Sequence, residues 1–346
     1  MVGSVDPVPA KAFPGLSCCP MNIPEQPLQT DNPVPRQRQG VSRMAWWLRI
    51  VVVIECFGLG GRYLFSSFET ESDIYGWLFF DCHWSESLAQ SIDNAGATMT
   101  WVAGGILCLS GWRISRLSTE SPRLNLVRRL DRAAAWWVAI WMLLIAMVHM
   151  MRAAVFAELS LPEHAVRYLA PLALTFVAGT GRGFGFSVSS EPARVRFALL
   201  MLSLAAAFTF AAHGYKAYQC YAPFTDLILL SDMRWIDSGC TQATAERMLV
   251  VIGIVDIVVA LALIVLRSRL AAFYMAVWGF VTAASRMTAL GFDAWPETLV
   301  RIANGGVPLV ILVYWMTIRE KSPPLQPSSP AATPSHQLDP VLDEAK

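Results

Sequence analysis

RAAAWWVAIWMLLIAMVHM (Arg132–Met150) and RLAAFYMAVWGFVTAASRM (Arg269–Met287) are the two stretches that decide how this chain folds. Each opens on an arginine and then runs apolar for close to the roughly 20 residues that a helix needs to cross a bilayer. Aligned without gaps they share Arg132/Arg269, Ala134/Ala271, Ala135/Ala272, Ala139/Ala276, Trp141/Trp278, Ala146/Ala283 and Met150/Met287. Shared alanines are cheap in membrane helices. The tryptophan and the leading arginine are not, and they point to an internal duplication.

The flanking segments repeat as well. Pro162-Glu163-x-x-Val166-Arg167 matches Pro296-Glu297-x-x-Val300-Arg301, and a Pro-Leu pair follows each, Pro171-Leu172 and Pro308-Leu309. Upstream, Arg43 and Gly61 match Arg196 and Gly214 in register. The plainer alternative is a shared membrane composition.

Across the 346 residues, 55% are hydrophobic and 15% charged, where soluble domains carry near a quarter charged. A net charge of +1 leaves no basic face for nucleic acid. Apolar runs mark eight spans: Ala45–Leu64, Ala95–Trp112, Ala133–Met151, Ala165–Val177, Phe197–Tyr215, Met248–Leu266, Leu270–Leu290 and Leu299–Met316. The fourth runs into the Gly-rich string Gly179–Gly185, whose spacing fails a dinucleotide loop because Phe184 stands where the third glycine belongs. Residues 1–42 are Pro-rich and lack the apolar core of a cleavable signal.

Basic residues set the orientation. Arg113, Arg116, Arg123, Arg128, Arg129 and Arg132 follow span 2; Arg182, Arg194 and Arg196 follow span 4; Arg267 and Arg269 follow span 6. The opposite loop, Ser66–Asn94, holds six acidic residues and no Lys or Arg. With eight spans all the arginine clusters share one side, which places both termini in the cytoplasm and the chain in the cell membrane. The fold class is therefore all-α, a polytopic membrane protein of eight transmembrane helices in two four-helix repeats. Because each half has an even number of spans, the repeats are parallel, related by an axis along the membrane normal. The divisions are a disordered tail over 1–42, a first repeat over 43–190, a second over 191–318 and a disordered tail over 319–346.

The stretch Trp295-Pro296-Glu297-x-x-x-Arg301-x-x-Asn304-x-x-x-Pro308-Leu309 resembles the last helix of the DoxX-like four-helix membrane proteins. His213-Gly214-Tyr215-Lys216 resembles the end of their first helix, although the first half departs with Gly60-Gly61-Arg62-Tyr63. The resemblance covers residues 43–318 and implies an accessory role beside a thiol, sulfur or quinone redox partner, with a quinone as the implied cofactor. It carries over no catalytic residue.

Ionisable residues inside spans are costly and default to functional hypotheses. His149, His213 and Arg286 each lie about 25 Å of helical rise from the cytoplasmic arginine of their span. Glu163, Arg167, Glu297 and Arg301 fall in the first turns of spans entering from the outer side, with Glu246 at the mouth of span 6. With Asp256 they form a candidate outward-facing polar vestibule. Glu163/Arg167 and Glu297/Arg301 have the spacing of intrahelical ion pairs, which a structural role explains as well as an anion site does. Asp256 is the deepest charge, and the sequence leads us to expect Arg286 or Arg301 as its partner. It serves equally as a proton or cation site or as a lock between helices. Glu55 poses the same question in span 1.

Seven cysteines divide by topology. Cys220 and Cys240 bracket one outer loop, and a disulfide between them is expected in an oxidising compartment. No metal-ligand spacing occurs. The expected partners are the bilayer itself, a redox partner or a second copy of the chain. Three functions compete: the accessory role, a small-solute or ion transporter using Asp256, and an outer-leaflet enzyme using His149, His213 and the aromatics Trp77, Phe79, Phe80 and Trp84. Those aromatics also read as an interfacial belt.

Overall fold

A computed structural model describes residues 33–64, 72–116, 122–178 and 191–319, so the Gly-rich string, residues 1–32 and residues 320–346 lie outside it. The described residues form helices and no strands. In the first half these are α1 (Pro33–Leu64), α2 (Asp73–Gly76) running into a π turn (Trp77–Asp81), α3 (Glu86–Arg116) and α4 (Pro122–Arg152). A 3₁₀ turn (Ala157–Leu159), α5 (Ser160–Glu163) and α6 (Ala165–Val177) complete that half. The second half holds α7 (Glu191–Tyr218), α8 (Ala222–Ser231) running into a π turn (Asp232–Ile236), α9 (Gln242–Val265) and α10 (Arg269–Leu290). It ends with a 3₁₀ turn (Phe292–Ala294), α11 (Trp295–Val300) and α12 (Ile302–Arg319).

α1 begins at Pro33, so residues 33–42 are helical rather than part of a disordered tail. Pro33 and Pro35 are tolerated because they occupy the first turn, whose N–H groups have no intrahelical acceptor. Side-chain caps start other helices: the Thr241 hydroxyl accepts from Thr244 N at 3.3 Å, and the Ser268 hydroxyl from Ala271 N at 3.3 Å.

Five helical segments are long and apolar enough to cross a membrane: Gly40–Arg62, Arg123–Arg152, Ala193–Tyr218, Gln242–Val265 and Arg269–Leu290. Phe292–Val300 with Ile302–Ile318 makes a sixth, bent by 46°. The expectation was eight, and the two that differ have local causes. α3 is long, but Asn94, Gly96, Thr98, Thr100, Gly104 and Gly105 dilute its apolar run. α6 has 13 residues and ends where the described segment does.

The helices are built inside out. On α9, Ala245, Leu249, Gly253, Asp256 and Ala260 are buried, while Val251, Ile254, Val258, Leu261 and Val265 are exposed. On α10 the buried face is Ala271, Ala272, Ala276, Gly279 and Ala283, and the exposed face is Leu270, Phe273, Val277 and Val281. Small residues inside and large apolar ones outside suit a lipid solvent, which supplies no drive to hide leucine. The large side chains have hydrocarbon to face instead.

Within each half the helices close a ring: α1 against α3 and α6, α4 against α3 and α6, then α7 against α9 and α12, α10 against α9 and α12. The rings meet where α1 packs on α11 and α12 and where α6 packs on α7. At the arginine-rich end, Arg49 Nη2 donates to both Asp131 oxygens at 3.0 and 2.8 Å, and the Ser110 hydroxyl donates to the same carboxylate, tying α1, α3 and α4. Arg269 Nη2 donates to Trp315 O at 2.9 Å, tying α10 to α12.

Glycine sets the closest crossings. A Cβ on Gly279 would stand 2.5 Å from Gly305 N, and one on Gly305 would stand 2.6 Å from Ala276 O. Gly279→Val therefore destabilises the fold by about 1–3 kcal/mol or more, read as a lowered unfolding temperature in detergent. Gly105, with nothing within 4 Å of a Cβ, is the control. Gly105→Ala gains roughly 0.5–1 kcal/mol from helix propensity.

Candidate functional site

Inside the second ring, between α9 and α10, lies a cavity of about 650 Å³. Its walls are apolar, with Phe210 from α7, Leu227 and Ile228 from α8, and Ile252 from α9. Such walls with a few convergent polar groups are the usual make-up of a small-molecule site. Asp256, Asn304, Arg286 and Arg301 are among its polar lining residues, and Asp232, Ser238 and Cys240 line it from the turn after α8.

The order along the cavity follows from the helices. The Tyr274 hydroxyl donates to Asp256 Oδ1 at 3.3 Å, which fixes Asp256 at the level of Tyr274. Arg286 lies twelve residues further along α10, about 18 Å of rise. The expected pairing of Asp256 with Arg286 or Arg301 does not form: Arg286 stands that far off, Arg301 pairs with Glu297, and the partner of Asp256 is a phenol on the neighbouring helix. The Asp256 side chain also stands against Gly214, where a Cβ would lie 3.0 Å from it.

Behind the cavity, at the end away from the Arg49–Asp131 pair, the helices carry a charge network. Glu297 pairs with Arg62 Nε at 3.0 Å and with Arg301 Nη1, which also donates to the Glu297 carbonyl at 3.0 Å. The expected Glu297/Arg301 pair therefore forms. Glu163 does not pair with Arg167. It takes Lys216, and His213 Nε2 at 3.5 Å, both from α7. The cause is local: His164, at φ −97° and ψ 8°, breaks the helix between α5 and α6 and removes the one-turn spacing.

Of the nine residues proposed from sequence, His213, Asp256, Arg286 and Arg301 line the cavity. Glu163, Arg167 and Glu297 stand behind it as the network's other members. Two lie elsewhere. His149 Nδ1 pairs with Asp73 Oδ2 at 3.0 Å in the first half, and Glu246 accepts from Gln242 Nε2 at 2.8 Å on the outer surface of α9. Glu55 is fully buried and neither of its oxygens has a donor; its neighbouring charge is Arg167. Sequence position ranked Asp256 above it, and burial reverses that order. Asn304 was missed as a site residue. Its signal was a lone amide in the apolar run of α12.

The expected disulfide is absent: Cys220 and Cys240 are free thiols. Cys220 sits in a left-handed turn (φ 49°) that aims its Sγ at Glu246 O, 3.7 Å away, and the Cys240 Sγ donates to its neighbour Thr241 O. Among the described residues no cluster of His, Cys, Asp and Glu could hold a metal ion.

The rim is fastened by Asp232. Its Oδ1 accepts from the Ser238 hydroxyl at 2.6 Å and the Ser238 amide at 3.2 Å, and its Oδ2 from the Cys240 amide at 2.9 Å. Trp235 Nε1 then docks the turn on Thr288 O at 3.0 Å. The Ser238 hydroxyl, then the Cys240 amide, hold the Asp232 carboxyl below its ordinary value. A lowered folded value gives stability that is present above the unfolded value of about 3.9 and is lost as pH falls through the folded one. Exchange protection of the Ser238 and Cys240 amides, corrected for intrinsic rate, should hold from neutral pH down to about 4 and fall only below it. In Asp232→Ala the protection is lost at every pH.

Comparison of the chain with known protein families, with curated proteins and with solved structures finds no match.

Proposed function

We propose that this chain is a multi-pass protein of the cell membrane that takes a small solute into the cavity of its second half from the outer face. It is a transporter or carrier rather than a catalyst. The observation that carries this reading is the cavity itself: a 650 Å³ space inside a helical membrane bundle, ending on the buried Asp256 and rimmed by an ordered turn. Intramembrane ionisable groups beside a cavity mark solute or proton pathways.

The reading includes eight spans in two parallel four-helix repeats with both termini cytoplasmic. The order long helix, short helix, π turn, two long helices, 3₁₀ turn, short helix, helix recurs in both halves and supports it. So do the stacked aromatic pairs at matching positions, Trp137–Trp141 and Tyr274–Trp278. The positive-φ residues Phe156, four residues after α4, and Gly291, directly after α10, each introduce a 3₁₀ turn. The arginine clusters supply the orientation.

A second reading, the accessory partner of a thiol or quinone redox system, draws on one observation: the free thiol of Cys240 lines the cavity rim. Labelling separates the two. In a background with the native cysteines replaced by serine, Thr282→Cys inside the cavity reacts with a membrane-impermeant maleimide from outside intact cells. Leu126→Cys, beside the arginine cluster, reacts only after permeabilisation. Equal labelling of both in intact cells overturns the orientation. Silence at Thr282→Cys, together with co-purification of a redox protein or a quinone chromophore, moves the function to the second reading.

A further inference from the structure

We propose that the solute is an amphiphilic organic anion, a carboxylate or an equivalent head on an apolar body, whose head is held by Arg286. The inference rests on reading the cavity as a solute site and names what that site takes.

Charge accounting comes first. Arg286 has Arg301, Glu297, Arg167 and Glu163 as its charged neighbours. Both carboxylates are taken, Glu297 by Arg62 and Arg301 and Glu163 by Lys216 and His213. Asp256 lies about three helical turns away along α10 and accepts from Tyr274. Arg286 lines the cavity with its Nε unpartnered, and among the described residues no ion pair holds its guanidinium. A cation in that position, with two further arginines nearby, is completed by an anion from outside the chain.

The first half shows what the position looks like when the chain supplies the counter-ion. In the alignment that pairs Trp141 with Trp278, Arg286 matches His149, which is tied to Asp73 of α2 at 3.0 Å. The corresponding short helix of the second half, α8, presents Phe224, Leu227 and Ile228 to the cavity instead. In the register that pairs Gly61 with Gly214, Asp226 falls at Asp73, but it is exposed and does not line the cavity, so this stretch of α8 offers Arg286 an apolar wall and no counter-ion. An ion alone would leave that wall facing water, so the body of the ligand is apolar.

Asn304 gives a second, independent sign of a ligand. It is 5% exposed, lines the cavity and has a side-chain oxygen without a donor. Buried amides are normally satisfied, and the cavity is the direction from which a partner or an ordered water reaches it.

The first half also explains why this seam is open. Trp141 packs so closely on Gly96 that a Cβ there would overlap its indole. In the register that pairs Gly61 with Gly214, Leu249 replaces Gly96, and both Leu249 and Trp278 line the cavity. A larger residue on α9 holds apart what the glycine brings together.

The test uses the full chain in a neutral detergent, with tryptophan fluorescence and calorimetry as readouts. Three probes share a ten-carbon chain: decanoate, decanol and decyltrimethylammonium. Decanoate should bind, with decanol and the cation weaker by roughly tenfold or more, the worth of a charge-assisted hydrogen bond. Arg286→Gln removes the preference for decanoate over decanol, and Arg286→Lys retains part of it. Should Arg286→Gln fail to fold, Thr282→Trp blocks the cavity with the arginine in place and abolishes decanoate binding. Equal binding of decanoate and decanol, or decanoate binding unchanged in Thr282→Trp, overturns the anion assignment. Binding of decanol alone overturns it too but leaves a solute cavity. Failure of all three probes with no labelling at Thr282→Cys removes the cavity reading itself. Native mass spectrometry then tells the source: an anionic phospholipid displaced by decanoate means the ligand enters from the bilayer, and an empty protein that takes up decanoate means it enters from solution.

Discussion

Contact between glycine backbones places everything else in this molecule. Gly214 and Gly253 meet where α7 crosses α9, and Gly279 and Gly305 meet where α10 crosses α12, each close enough that a methyl group would strike the facing main chain. In hydrocarbon, association gains nothing from hiding leucine, so close van der Waals contact between backbones has to hold the helices. Those two crossings fix α9 to α7 and α10 to α12. They leave the seam between the pairs to be filled by whatever side chains stand there, and α8 covers it.

The two halves fill that seam differently. Gly96 lets Trp141 lie flat against α3, and the Trp137 indole reaches Thr100 at 3.3 Å. In the second half Tyr274 turns instead to Asp256, and Leu249 takes the glycine's place. At the end away from the Arg49–Asp131 pair, His149 is tied to Asp73 in the first half, whereas Arg286 faces the cavity in the second. One half packs closely at this seam and the other leaves a space.

Much of the architecture was legible in the sequence, because lipid-facing helices announce themselves by composition. The arginine-to-tryptophan register of Arg132 and Arg269, the helix entries at Pro162 and Pro296, and the Glu297–Arg301 pair could all be read from spacing. The partner of a buried charge could not. Glu163 pairs with Lys216 because the helix breaks at His164, and Asp256 with Tyr274 because α9 and α10 run antiparallel at that level. The Arg49–Asp131–Ser110 cluster joins three helices whose crossing no linear pattern encodes. Apolarity is a property of a segment, whereas a charge pair is a property of a crossing. The first survives in one dimension and the second does not.

The charge network around Glu163 and Glu297 is such a set of crossings. Arg62, Lys216 and Arg301 come from α1, α7 and the α11–α12 break, and they converge on just two carboxylates, Glu163 and Glu297. Each carboxylate is thus shared between elements of different origin, Glu297 joining α1 to the last helices and Glu163 joining α5 to α7. Shared pairs of this kind cost desolvation and return register, and here the register is that of one half against the other. Both carboxylates are engaged by other cations, so the network that aligns the halves leaves Arg286, among the described residues, without an ion pair of its own and facing the cavity. The rigid seam and the unpartnered arginine are two consequences of the same charge arrangement.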